Sequence, residues 1–329
     1  MRVMVMKKIK HKVARQLLKA IDIFFVCSFL LLRMVVRVLP ASAVYDIASA
    51  LGYALYYLIP GARERLFNIV SEAMPELTDS KHIKRIGRSS IIEMYKPMFD
   101  LAVYARHRDR MLRDAVLEGL DNLDQADAFG KGVIIQSAHI GGWALAILAA
   151  RPLGVQATLI AVNPDVLFTP RFARAAYKFV DSLDCGDLIL TGRDSVGQSV
   201  ELLKQGKRLI LAADVIGKEI VDMFGRPAAM ANGIGRIACD SGAPVVPFCI
   251  FREKDPLKLS AWFREPIEYK PSDDRASDVN AVMQAITRGV ESEIRRAPEQ
   301  WTQWGALGRW WKKAEELKGE QSAAKPKGD

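Results

Sequence analysis

Alternating apolar strands and helical segments occupy the chain from Val116 onward, and no other feature of the sequence constrains the fold as strongly. Short apolar runs, several of them β-branched, are separated by segments with helical periodicity. Successive parallel strands need a crossover connection, usually a helix. The pattern therefore predicts an α/β fold with a largely parallel central sheet flanked by helices. The predicted strand segments are 131–139, 156–162, 186–191, 207–214 and 243–251.

Two polar residues stand where predicted strands end, His139 in the first segment and Asp214 in the fourth. Ligands of open parallel sheets bind beyond the carboxyl ends of the strands, so both side chains are expected at that edge. A neutral imidazole there could take a proton from an acceptor hydroxyl, and a carboxylate could fix its tautomer. The alternatives are a hydrogen-bonded structural histidine and an aspartate that caps a helix or turn.

The turn after His139 carries Gly141 and Gly142, followed by Trp143. Glycines lack side chains, so a substrate could approach the backbone there, and nearby N–H groups could stabilise an oxyanion at an attacked acyl carbon. The sequence contains no G-x-S-x-G, Walker A or H-E-x-x-H motif, and its four cysteines lack ligand spacing. We therefore expect neither a metal nor a redox cofactor, and a reducing compartment.

A second glycine motif, Gly233-Ile-Gly235-Arg-Ile-Ala238, matches the dinucleotide pattern G-x-G-x-x-A. That pattern binds a nucleotide only when a strand leads into the loop. The preceding segment "FGRPAAMAN" contains Pro227 and is not expected to form that strand. Nucleotide binding is therefore not favoured.

Positive charge is concentrated at the N-terminus. The net charge is +9, and seven basic residues precede the first acid, Asp22, so that 9 − 7 leaves +2 for the rest. This distribution argues against a nucleic-acid partner and favours contact with an anionic membrane face. Residues 1–38 are predicted to form a basic arm and a membrane-anchoring helix, interfacial or tilted, because only 23–32 is free of charge. The alternative is a signal peptide cleaved after Ala41-Ser42-Ala43.

The segments before and after the predicted sheet also have patterns that predict structure. Residues 63–104 have the pattern of helices, with Asp79 or Ser80 as a possible N-cap and a stop at Pro75. A tryptophan cluster closes the globular part, and residues 312–329 are predicted to form a disordered tail because they are poor in apolar residues. The cluster consists of Trp301, Trp304, Trp310 and Trp311.

Four segments resemble, in the same order, motifs of the bacterial lipid A secondary acyltransferases (lauroyl/myristoyl transferases) and their relatives that acylate phosphatidylinositol mannosides. The resemblance covers residues 20–311. The segments are "RERLFNIVSEAMPEL", "SAHIGGWALA", "AAD" with "MFGRPAAMANGIGRIACDSGAPVVP", and "IRRAPEQWTQW".

The resemblance implies a glycerol-phosphate-acyltransferase-like fold at the cytoplasmic face of the bacterial inner membrane, with residues 39–311 as the acyltransferase domain. It implies an acyl carrier protein or coenzyme A thioester as co-substrate, and a glycolipid hydroxyl as acceptor, such as that of a lipid A precursor. His139 takes the place of the general base, and Asp214 would orient it. The expected substrate-binding residues are Gly141, Gly142, Trp143, Phe224, Gly225 and Arg226.

Three positions depart from the family pattern. The acid of the H-x4-[D/E] motif is Ala144, the asparagine before the tryptophan is Gly142, and the glutamine after the later aspartate is Val215. Either Asp214 supplies the missing carboxylate, with Asp100 or Glu93 as the next candidates, or the protein is a catalytically silent homologue that binds lipid or acyl carrier. A third possibility is an acyltransferase of the same fold in a specialised lipid or polyene pathway.

Overall fold

The computed structural model describes residues 2–167, 169–183, 185–269 and 272–324, with side chains described from residue 16 to residue 321. The helices are α1 (Arg2–Val38), α2 (Ala41–Leu58), α3 (Ala62–Ala73), α4 (Ser80–Arg113), α5 (Leu120–Asp127), α6 (Trp143–Ala150), α7 (Pro170–Asp181), α8 (Ser195–Lys204), α9 (Gly233–Ser241), α10 (Arg275–Arg296) and α11 (Trp304–Ala324). The strands are β1 (Val116–Glu118), β2 (Val133–Ser137), β3 (Thr158–Ala161), β4 (Leu188–Leu190), β5 (Arg208–Ala212), β6 (Ile216–Met223), β7 (Arg226–Met230), β8 (Val245–Arg252) and β9 (Leu259–Phe263).

Within the described residues, seven strands form the central sheet in the order β1-β9-β8-β2-β5-β3-β4. The five strands from β8 to β4 are mutually parallel, β9 runs antiparallel to β8, and β1 is parallel to β9. The predicted α/β class, with a largely parallel sheet between helices, is confirmed. Four of the five predicted strand segments contain β2, β3, β4 and β5, and the fifth covers β8 except its last residue, Arg252.

Both faces of the sheet are buried. Successive residues of a strand point to opposite faces, so Ile134 and Leu209 join the apolar core that includes α9 and α10. Ile135 and Ile210 point the other way and pack with the apolar helix α6. Because helices cover both faces, the ends of the strands are where side chains can reach solvent and substrate.

The helical region before the sheet is organised as the sequence indicates. Helix α3 ends at Ala73, two residues before Pro75, and α4 begins after Asp79. The Asp79 carboxylate accepts the N–H of Lys81 at 2.9 Å, which is an N-cap. Helices α2 and α3 pack on α4, which in turn contacts α6 beside the sheet.

Helix α1 docks on the body through its second half. The Asp22 carboxylate accepts the backbone N–H groups of Arg171 and Phe172 at 3.0 and 2.9 Å, and so caps the start of α7. The ring of Phe29 lies 6.0 Å from that of Phe172 and 5.5 Å from that of Phe179. Among the helices described, none has the length and apolar character needed to cross a membrane. Anchoring by residues 1–38 stays a prediction.

The C-terminal segment differs from the disordered tail predicted for residues 312–329. Residues 312–324 continue α11 as helix, and residues 325–329 lie outside the described residues. Ala314 is completely buried, and Lys312 forms an i,i+4 ion pair with Glu316 at 3.8 Å. The helix is held by packing on the body, which composition alone does not reveal.

The prediction that no strand precedes Gly233 is also wrong, because this segment forms the strand β7. Pro227 is tolerated there because β6 and β7 form a separate two-stranded sheet and Pro227 pairs only with Asp222. Gly235 has a packing role: a Cβ atom at this position would lie 2.9 Å from the carbonyl oxygen of Val279. The glycine motif therefore allows α9 to pack closely on α10.

Candidate active site

His139 and Asp214 lie at the carboxyl edge of the sheet because their strands are in register. Strands β2 and β5 are parallel neighbours, and their last residues, Ser137 and Ala212, are paired. His139 and Asp214 each follow that pair by two residues. The prediction that both residues lie at one edge is confirmed.

Asp214 is held by donors from two parts of the chain. Its Oδ1 lies 2.8 Å from Nδ1 of His139, and its Oδ2 accepts the backbone N–H of His139 at 2.9 Å. The indole Nε1 of Trp301 donates to the same Oδ2 at 2.9 Å. The carboxylate is 1% exposed, so these bonds take the place of water around it.

The charge of Asp214 determines the protonation of His139. Burial lowers the pKa of His139, whereas the charge and the hydrogen bond of Asp214 raise it, and the net effect is a pKa above the usual value of 6.5. A carboxylate only accepts hydrogen bonds, so Nδ1 carries the proton and Nε2 keeps a free lone pair in the neutral ring. The His139 side chain is 23% exposed, which leaves the ring accessible from the edge of the sheet.

The turn after His139 requires a glycine at position 141. Gly141 has φ +57°, and a Cβ atom there would lie 2.3 Å from the carbonyl oxygen of Ile250. Its N–H donates to the carbonyl of Gln300 at 3.0 Å, and the N–H of Gly142 donates to that of Ile250 at 3.3 Å. These two N–H groups are engaged by carbonyls, so an oxyanion site here would need neighbouring N–H groups, and it stays a prediction. Contact of either residue with substrate stays a prediction.

Trp143 packs directly against the catalytic candidate. Its ring meets that of His139 edge to face, with centroids 4.9 Å apart and planes at 76°. Its indole Nε1 is buried and has no hydrogen-bond partner among the described residues. Most buried donors in proteins are paired, so this one is a candidate for a substrate oxygen. Substrate binding by Trp143 stays a prediction.

The motif acid is absent from the site, and Ala144 is 7% exposed in the first turn of α6. The other two candidate carboxylates are engaged elsewhere, which corrects that suggestion. Arg252 donates to Glu93 at 2.6 Å and, through both terminal nitrogens, to Asp100 at 2.9 and 2.7 Å. Asp214 is thus the carboxylate that contacts His139 in this site.

The ion-pair cluster of Arg252, Glu93 and Asp100 is connected to the turn beside His139. The backbone N–H of Arg252 donates to Oε1 of Gln300 at 2.8 Å, and the carbonyl of Gln300 accepts the N–H of Gly141. The hydroxyl of Tyr45 donates to Asp100 at 2.6 Å. Polar contacts therefore join helices α2 and α4 to the turn after His139.

The predicted residues Phe224, Gly225 and Arg226 form the turn between β6 and β7. Phe224 and Gly225 have φ +57° and +70°, as in a type I′ hairpin turn. The Phe224 ring lies 6.1 Å from that of Trp301 and 5.5 Å from that of Trp304, while Arg226 forms ion pairs with two glutamates. These contacts are structural, and a role in binding substrate stays a prediction.

Trp301 contacts Asp214, and the sequence alone does not predict that contact. The sequence predicts it only as a member of a tryptophan cluster, and its partner Asp214 lies 87 residues earlier. Two backbone contacts hold this segment against the turn after His139. Ile140 and Trp301 form an isolated antiparallel β-bridge, and the N–H of Thr302 donates to the carbonyl of His139 at 3.1 Å. The available signal is the shared "PEQW" motif, which contains this residue.

Comparison with known proteins places the chain in a family. The sequence profile of the family described as "Bacterial lipid A biosynthesis acyltransferase" matches residues 8–313. A phosphatidylinositol mannoside acyltransferase of Mycobacterium tuberculosis (strain ATCC 25618 / H37Rv) is 27% identical over 287 residues, 82% of this chain and 83% of the relative. One from Mycolicibacterium smegmatis is 24% identical over 246 residues, 73% and 76% of the two chains. The resemblance inferred from the sequence motifs is confirmed.

Proposed function

We propose a reaction and a mechanism for this chain, which belongs to the bacterial lipid A biosynthesis acyltransferase family and is an acyltransferase. The family and its relatives support a glycolipid as the acceptor. The proposed reaction moves a fatty acyl group from an acyl carrier protein or coenzyme A thioester to a glycolipid hydroxyl. The proposed location is the cytoplasmic face of a bacterial inner membrane.

The contact between His139 and Asp214 carries the proposal. With Nδ1 bonded to Asp214, Nε2 of His139 takes the proton of the acceptor hydroxyl as its oxygen attacks the thioester carbon. A C–O bond forms, the C–S bond breaks, and the imidazolium returns the proton to the leaving thiolate. Asp214 stabilises the imidazolium between these two steps.

Charge on the attacked oxygen needs hydrogen-bond donors near His139. The N–H groups of Gly141 and Gly142 are already bonded to carbonyls. Helix α6 begins at Trp143, and first-turn N–H groups have no partner within a helix, so they can serve an anion. We assign stabilisation of the oxyanion to this turn, with the indole N–H of Trp143 as a second donor.

The same contact favours catalysis over a silent, lipid-binding role. A silent homologue has no need for a buried carboxylate that fixes the tautomer of a partly exposed histidine. Four donor–acceptor contacts from His139 and Trp301 hold Asp214 in this position. Loss of the motif acid at Ala144 therefore leaves the proton-transfer pair complete.

The test uses the purified full-length protein with a long-chain acyl-coenzyme A or an acyl carrier protein thioester. The acceptors are a lipid A precursor and a phosphatidylinositol mannoside, each dispersed in detergent. Released thiol and acylated lipid are measured in parallel, and equal amounts are expected with at least one pair of substrates. The His139→Ala variant should be slower by about 10²-fold or more.

The matched control is His107→Ala, which removes another partly buried histidine, on α4. It should keep its activity to within about threefold, because it takes no part in proton transfer. Equal rates in His139→Ala and wild type would overturn the mechanism. Thiol release without any acylated glycolipid would overturn the proposed acceptor.

A further inference from the structure

A basic groove lies between α2, α3 and α4, and neither His139 nor Asp214 lines it. It has a volume of about 640 Å³, which is the size of a small-ligand site. Five cationic side chains and one carboxylate line it, so the lining carries 5 − 1 = +4 charges. The charged residues of the groove are Arg63, Glu64, Lys81, Lys84, Arg85 and Arg88.

Most of these cations have no acidic partner. Arg85 pairs with Glu299 at 2.8 Å, whereas the other four cations form no ion pair with a carboxylate in the part of the chain that the structure describes. Three of the four contact aromatic rings instead. Arg63 lies 5.2 Å from the ring of Tyr57, Arg88 lies 5.3 Å from that of Tyr53, and Lys84 lies 5.9 Å from that of Phe67. Several like charges are thus held together without counter-charge, which favours an anionic ligand.

The surface beside the groove is apolar. Leu51 and Leu58, about two helical turns apart on α2, are 50% and 74% exposed. Tyr53 and Tyr57 are also half-exposed, with ring centroids 4.9 Å apart, and Tyr57 belongs to both the apolar face and the groove. The exposed leucines of α2 are followed by its tyrosines and then by the cations of the groove. This order matches that of hydrocarbon, interface and phosphate in a membrane leaflet.

We infer that the basic groove binds the anionic phosphate headgroup of a membrane phospholipid while the apolar face of α2 contacts the acyl region. The site is separate from the acyl-transfer centre and acts whether or not the proposed reaction is correct. It would hold the helical layer of α2, α3 and α4 against the membrane in a fixed orientation. A docking site for an acidic protein would not require the exposed leucines.

The first test measures binding of the full-length protein to phosphatidylcholine vesicles with and without phosphatidylglycerol. The variant Lys84→Glu with Arg88→Glu should bind the anionic vesicles at least about tenfold more weakly than wild type. The control, Lys204→Glu with Lys207→Glu, makes the same charge change at exposed positions on and just after α8 and should lose less than about threefold. Equal losses of vesicle binding in the two variants would show nonspecific electrostatic attraction and would contradict a specific lipid site in the groove.

The second test separates the headgroup from other phosphates. Short-chain phosphatidylglycerol, kept below its micelle concentration, should bind wild type saturably and the Lys84→Glu, Arg88→Glu variant poorly. Inorganic phosphate should compete only weakly, because it lacks the apolar part that reaches α2. If coenzyme A displaced the lipid and itself lost affinity in the variant, the groove would be a donor site and the proposal would be wrong. Acyl transfer is measured separately, so the two proposals can fail independently.

Discussion

The indole N–H of Trp301 donates a 2.9 Å hydrogen bond to the carboxylate of Asp214, the residue that holds the imidazole of His139. Trp301 is completely buried and has no direct hydrogen bond to His139 among the described contacts. It acts on the proposed base through Asp214 and is therefore a positioning residue. Its effect should appear in the pH dependence of acyl transfer.

Replacement of Trp301 by phenylalanine tests this relationship. Loss of the donor leaves the negative charge of Asp214 less stabilised, so the carboxylate binds the His139 proton more tightly. The pKa of His139 should rise further, and because the base must be neutral, the acid limb of the rate profile should move to higher pH. Trp304→Phe is the control, since it loses an indole bond to the carbonyl of Pro298 instead. Identical pH profiles for the two variants would contradict the assignment.

Asp214→Asn should move the acid limb in the opposite direction. Burial lowers the pKa of His139 and only Asp214 raises it, so an amide should let that pKa fall. The plateau rate should nevertheless drop by about 10²-fold to 10⁴-fold, because the imidazolium loses its counter-charge and its tautomer is no longer fixed. The measurements are the rate profile and the histidine titration by NMR. Asp278→Asn, a buried carboxylate bonded to Ser272, should change neither.

Restoration of the motif acid by Ala144→Glu should not raise the rate. Nδ1 of His139 is already occupied by Asp214, and position 144 is buried. The new carboxyl would be desolvated without a cation arranged to pair with it, so the folded state should lose stability. Thermal unfolding and turnover are measured together. A faster enzyme with unchanged stability would show that the native pair is incomplete.

Gly141→Ala should disrupt the active-site turn, whereas Gly142→Ala should be tolerated. Alanine at 141 would meet the carbonyl of Ile250 and adopt a positive φ, which alone costs about 1–3 kcal/mol. At 142 the nearest atom to a new Cβ is Cδ1 of Leu145 at 3.6 Å, an ordinary contact. Chemical denaturation compares the two variants. Similar losses at both positions would contradict the described turn.

Arg252→Met should destabilise the protein through the carboxylates that it leaves behind. Asp100 is fully buried and the Glu93 side chain is 8% exposed, and removal of one partner from a buried ion pair costs about 3–5 kcal/mol. Arg110→Met is the control, because Arg110 is half-exposed where it pairs with Asp255 and should cost at most about 1 kcal/mol. Unfolding free energies from denaturant titration decide between them. An equal cost for both would mean that the cluster contributes no more than surface pairs.

The sequence predicts what is encoded locally. Buried apolar runs identify the central strands, and the parallel topology then places His139 and Asp214 at one edge. Contacts between distant segments leave no such signal: Arg252 meets Asp100 across 152 positions, and both look like ordinary polar residues in the sequence. Strand β7 was obscured by Pro227, whose tolerance depends on the strand being outside the central sheet.

The buried contact between Asp100 and Arg252 also affects the order in which the protein can fold during synthesis. Ribosomes add about 5–20 residues per second, so Arg252 is made roughly 8–30 s after Asp100. During that interval α2 and α4 exist without the cation that neutralises their buried carboxylate. We therefore expect α2 and α4 to complete their packing only after Arg252 has been made. A buried charge thus ties the final packing of the helical first third to the synthesis of β8.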